Sequence, residues 1–126
     1  MWLAVVVGGG MGALARYGLG GWIQGSAGAG FPWGTLVINV TGSLLLALTY
    51  AVLEGVRARA EWRALIGIGF CGGYTTFSTF SYEAFRLLQD GEWNRALAYM
   101  LGSLLLALAG TVAGFYLGET VLRVRG

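Results

Sequence analysis

Five hydroxyls, on Thr75, Thr76, Ser78, Thr79 and Ser81, fall within seven residues of a stretch, 64–82, that carries no charge. Such groups exchange hydrogen bonds with a solute, but they become nucleophiles only beside a base. The chain contains no histidine and one cysteine, Cys71, which argues against a hydrolase or a zinc enzyme and rules out an intramolecular disulfide. The chemistry open to these residues is recognition by donated hydrogen bonds.

Two further polar rows carry the same chemistry. Thr35, Asn39 and Ser43 stand four apart on one helical face, and Tyr99, Ser103 and Thr111 share another, interrupted where Ala107 takes the intermediate position. Any single serine or threonine in a membrane helix is ordinarily satisfied by a carbonyl of its own preceding turn, and such groups also join helices at about 0.6 kcal/mol each. Three rows together, one in a hydroxyl-dense segment, are better explained by a hydrated pathway. Its groups are donors, with no carboxylate in the central parts of the apolar segments, so the favoured solute is an anion. Arg16, near the end of the first segment, would raise the local anion concentration at an aqueous mouth. Phe77 and Phe80, three residues apart, could offer electropositive ring edges, although lipid-facing or core packing is the simpler account of each ring alone.

These residues must be positioned by a membrane domain. The 126 residues are 56% hydrophobic and 11% charged with mean hydropathy +0.68, values of an integral membrane protein. The apolar segments 2–23, 33–53, 64–82 and 96–118 approach or exceed the roughly 20 residues that cross a bilayer, and the third span extends through amphipathic residues to cover 64–88. They predict an all-α protein with four transmembrane helices in one membrane domain, 1–126. At 100° per residue the five hydroxyls cover roughly 220° of a helix surface. The third segment therefore either turns them toward protein and water or breaks.

Glycines at four-residue spacing, Gly8 and Gly12, Gly69 and Gly73, and Gly110, Gly114 and Gly118, predict close helix packing. The match to a dinucleotide fingerprint at Gly10 lacks the preceding strand and the acidic residue about 20 positions later. The connections 24–32, 54–63 and 83–95 are short. The last is amphipathic enough to extend the third helix, and Pro32 suits the first turn of the second span.

A net charge of +2, carried by scattered arginines, offers no patch for nucleic acid. An N-terminal signal peptide is disfavoured by the lack of a basic residue before the apolar run. With four spans, Arg57, Arg59, Arg63, Arg123 and Arg125 fall on one side, against Arg86, Arg95 and Arg16 on the other. Five against three is a weak orientation bias, which permits insertion both ways and an antiparallel dimer.

Three segments together resemble the Fluc (CrcB) fluoride channels over the whole chain: Gly9 to Tyr17, Gly34 to Ser43, and Gly72 to Glu83. The resemblance implies a dual-topology antiparallel homodimer of four-helix subunits in the prokaryotic inner membrane, with lipid as its surroundings, exporting fluoride passively and so relieving its toxicity. It also implies a third helix broken at its centre, near 72–76, and a structural Na⁺ at the dimer interface, held by backbone carbonyls of Gly72 and Thr75. The implied fluoride pathway falls on Asn39, Phe77, Ser78, Thr79, Phe80, Tyr99, Ser103 and Thr111, with Arg16 in the vestibule. Ala107 departs from a continuous hydroxyl row, and the resemblance assigns Glu83 no role. Two other functions fit a small four-span protein, a proton-coupled multidrug transporter and a non-transporting assembly subunit. The first would need a membrane-embedded carboxylate, and the central spans hold none.

Overall fold

The computed structural model describes residues 1–126, and every element in it is helical. Helix α1 (Trp2–Ala27) ends at Gly28, whose φ of 89° an L side chain would resist. Helix α2 (Trp33–Gly55) follows Pro32, which sits at the N-cap position and not in the first turn, its carbonyl accepting the Leu36 N–H at 3.2 Å. Three consecutive pieces, Ala60–Trp62 (α), Arg63–Cys71 (π) and Gly72–Tyr74 (α), run on as one helix, α3. Helix α4 (Phe77–Gln89) and α5 (Trp93–Arg125) follow, joined through a turn with φ of 77° at Gly91.

Three helices are long and apolar enough to cross a membrane: α1 with 26 residues, α2 with 23 and α5 with 33. The stretch 64–88 is divided between α3 and α4. Gly72 and Gly73, where unwinding was expected, are helical. The extended residues are Thr75 (ψ 156°) and Thr76 (φ −150°, ψ 114°).

The glycine series marks the closest helix approaches. A Cβ at Gly8 would strike the Leu65 carbonyl, and one at Gly12 the Phe70 carbonyl and the Tyr74 amide, so α1 lies backbone to backbone on α3. On the other seam Gly110, Gly114 and Gly118 meet Val40, Leu44 and Leu48 with Ala51, contacts that advance together and make α2 and α5 parallel. Side chains fill the centre between α2, α4 and α5, where Leu36, Ala84 and Tyr99 are buried with Phe31, Val40, Phe80, Leu87 and Met100 against them. Most other large apolar side chains, such as Leu14, Leu104, Leu105 and Leu108, point outward. All five tryptophans are exposed. Trp2 and Trp22 bracket α1 at a separation of about 30 Å, at 1.5 Å per residue.

Candidate functional site: the α3–α4 break and its two cavities

Two extended residues inside an apolar bundle leave peptide groups that must be satisfied from elsewhere. Asn39 supplies most of this from α2. Its amide nitrogen donates to the Thr76 carbonyl at 3.1 Å, and its amide oxygen accepts the Thr76 N–H at 2.8 Å, a two-point clamp. The Thr76 hydroxyl then caps α4, accepting the Thr79 N–H at 3.2 Å and donating to the Thr79 hydroxyl at 3.0 Å. Thr75 turns both its N–H and its hydroxyl to the Cys71 carbonyl, and Arg16 Nε donates to the Gly73 carbonyl at 3.0 Å. Two carbonyls lose their usual donors in this arrangement. The N–H that would close on Gly72 belongs to Thr76 and goes to Asn39, and the one that would close on Thr75 belongs to Thr79 and goes to Thr76 Oγ1.

Thr76→Ala is expected to lower stability by about 1 kcal/mol, the ordinary worth of an N-cap, with Thr76→Ser restoring it. Thermal unfolding of the purified protein in detergent measures both.

A cavity opens on each side of the break. The larger, about 650 Å³, is bounded by Arg16, Gln24, Thr35, Thr79, Glu83 and Arg86. The smaller, about 420 Å³, is bounded by Asn39, Ser43, Phe77, Phe80, Ser103 and Thr111, and no ionisable side chain reaches it. Thr76 forms part of both walls. Most hydroxyls of the smaller cavity are already committed: Ser43 donates to the Asn39 carbonyl at 2.7 Å, Thr111 to Ala107 at 3.0 Å, and Thr75 to Cys71 at 2.9 Å. Ser103 is the exception. It is 7% exposed and its hydroxyl has no partner. With one N–H of the Asn39 amide engaged, the second is also free to donate. Phe77 and Phe80 stand with ring centroids 5.6 Å apart and planes inclined at 47°.

Residues 3–115 match the family described as CrcB-like protein, Camphor Resistance (CrcB). The chain belongs to the CrcB family. Among its relatives is a protein from one strain of Thermus thermophilus, 51% identical over 122 residues that cover 96% of this chain and 95% of the relative, named fluoride-specific ion channel FluC. A Geobacter sulfurreducens protein of the same name is 50% identical over 113 residues, covering 89% of this chain and 91% of its own. A third, from a second Thermus thermophilus strain, also bears that name and is 50% identical over 122 residues, 96% of this chain and 97% of the relative.

The CrcB resemblance named nine side chains, and the single chain distributes them unevenly. Asn39, Phe77, Phe80, Ser103 and Thr111 share the smaller cavity, while Arg16 and Thr79 border the larger. Tyr99 borders neither. It is fully buried between Phe31 and Phe80, with centroids at 5.5 and 5.1 Å, and its hydroxyl has no partner. Ser78 is exposed, 3.4 Å from the Thr76 hydroxyl, and Gly72 is exposed with nothing near the position of a Cβ.

Sequence reasoning gave no role to Thr76 beyond its hydroxyl, or to Glu83. A Thr-x-x-Thr run at the start of a helix was the available signal for the cap. Glu83 accepts the Thr35 hydroxyl at 2.5 Å in the larger cavity, so the first member of the α2 row serves a carboxylate. That contact lies 48 residues apart in the chain and has no local sign.

Proposed function

We infer that this CrcB chain is a fluoride-specific ion channel that lets fluoride leave the cell passively and so lowers its toxicity, and that it is not an enzyme. The observation that carries this is its similarity, at about 50% identity and nearly full length, to proteins named for that activity. The chemistry of the smaller cavity agrees with it. The free donors there are the Ser103 hydroxyl and the second Asn39 N–H, no carboxylate opposes an anion, and the positive end of α4 lies at Phe77. A small anion loses the most hydration energy on entry, so closely placed donors and a narrow bore favour fluoride and exclude larger halides by size. Ring edges of Phe77 and Phe80 add electropositive surface.

The membrane reading rests on three spanning helices and on tryptophans separated by one bilayer thickness along α1. On this reading α3 and α4 together make the fourth crossing, broken at Thr75 and Thr76, and the protein lies in the prokaryotic inner membrane with lipid against its apolar exterior. A second copy, antiparallel to the first, completes it. Exposed Ser78, Ser81 and the open Thr75 carbonyl would each be costly against lipid, and a partner subunit removes that cost. The same face suits a structural Na⁺. Gly72 and Thr75 have carbonyls whose usual donors are turned elsewhere, hard oxygen ligands for such an ion, and two copies would supply four. Bound there, the ion contributes fixed positive charge and holds the subunits together. Asn39, Thr76 and Arg16 hold the surrounding backbone whether or not it is present.

Purified protein in fluoride-loaded liposomes is expected to release fluoride to an ion-selective electrode. Release no faster than from empty vesicles overturns the channel reading. Phe80→Ile is expected to slow release about tenfold, the effect of ~1.4 kcal/mol on a rate, with the protein still folded and its melting temperature lowered only modestly, since isoleucine keeps apolar contact with Tyr99.

A further inference from the structure

Arg57 is the one non-glycine residue with positive φ, at 51°, in the turn from α2 to α3. Glycine or asparagine would hold that conformation with less strain. Nothing inside the chain rewards the arginine. Its side chain is exposed and takes part in no hydrogen bond or ion pair, so a strained position is occupied by a charge that reaches only outward. Arg59 is likewise exposed and unpaired, and Arg125 ends α5 in the same state.

The fold brings these charges to one end. Leu122 of α5 packs over Gly55, the last residue of α2, which sets the final turn of α5 beside Arg57. Five arginines gather there against Glu54, Glu61 and Glu119. Glu54 is taken by Arg63 at 3.2 Å, and Glu119 reaches Arg123 only at 4.0 Å. At the opposite end, around the larger cavity, Arg16, Arg86 and Arg95 are matched in number by Glu83, Asp90 and Glu92. Exposed Val56 and Trp62 flank the turn, an apolar and an interfacial residue that fix its depth where hydrocarbon meets headgroups.

We propose that this end, with Arg57 and Arg59 at its centre and Arg125 beside them, binds the phosphate of an anionic phospholipid headgroup. Zwitterionic lipid also carries a phosphate but adds a cation that this surplus of arginine repels. The proposal rests on the membrane placement and not on which ion the channel carries.

The test is native mass spectrometry of the detergent-solubilised protein with equal phosphatidylglycerol and phosphatidylcholine. Wild type is expected to retain phosphatidylglycerol preferentially, and Arg57→Gly to lose roughly fivefold of that preference, the weight of one arginine near an anionic surface. Arg57→Lys should keep most of it. Without added lipid, Arg57→Gly should melt at or above the wild-type temperature, which separates lost binding from lost folding. Arg57→Asn provides the same measurement if the glycine variant expresses poorly. Equal preference in wild type and both uncharged variants overturns the site, and displacement of the lipid by equimolar inorganic phosphate overturns the headgroup assignment. Fluoride release by Arg57→Gly in phosphatidylcholine liposomes should match wild type, so failure of the channel reading would show separately, in the wild type itself.

Discussion

Asn39→Leu is expected to abolish measurable fluoride release and to cost more stability than loss of the α4 cap. Leucine fills a similar volume but can neither accept the Thr76 N–H nor donate to the Thr76 carbonyl. Each backbone group left unpaired in a buried setting costs about 1–3 kcal/mol, so the pair costs about 2–6 kcal/mol. The site is only partly buried, which places the effect in the lower half of that range. Even so, it exceeds the roughly 1 kcal/mol expected for Thr76→Ala. Asn39 is thus asked to do two things with one amide, to hold the break with one N–H and its oxygen and to offer the other N–H to the smaller cavity.

Asn39→Asp separates these tasks. A carboxylate still accepts the Thr76 N–H, so the melting temperature should fall less than for leucine. It donates nothing and brings negative charge to an anion path, so release should be as poor as for leucine. Normal release by the aspartate variant would remove the Asn39 amide from the path and leave it the structural task alone.

The same clamp explains why part of the site was hidden in the sequence. Apolar length and glycine spacing are local quantities, and α1, α2, α5 and their close seams follow from them. The non-helical residues do not. Gly72 and Gly73 have the weakest helix preference in the stretch, yet they remain helical, because Gly73 fits against the backbone of Gly9 and needs no Cβ there. Thr75 and Thr76 open instead, because a residue 37 positions away pairs with the freed peptide. The π register over Arg63–Cys71 is equally silent in composition. Among the polar rows, spacing identified the faces but not the bonding. Ser43 and Thr111 are satisfied by their own helices, Thr35 serves Glu83, and Tyr99 and Ser103 keep buried free hydroxyls, of which only that of Ser103 belongs to the smaller cavity.

Gly12→Ala should produce the largest loss of folded protein, although it adds only a methyl group. In a soluble helix the change from glycine to alanine gains about 1 kcal/mol. In a membrane the separated helices are already formed, so that gain largely vanishes and the packing term decides the sign. At Gly12 the methyl would enter the Phe70 carbonyl and crowd the Tyr74 amide, both backbone, and backbone cannot rotate aside as a side chain can. Relief requires α1 to move off α3. That movement breaks the Gly8 contact one turn away and draws Arg16 from the Gly73 carbonyl, so the damage reaches the break itself. Overpacking alone costs about 1–3 kcal/mol, and the linked contacts add to it. Gly18→Ala is the matched control on the same helix, since its methyl would meet nothing within 4 Å. The expected result is a sharp drop in yield and melting temperature for Gly12→Ala with Gly18→Ala close to wild type. Equal melting of the two variants would mean that the α1–α3 seam is looser than its backbone contacts require.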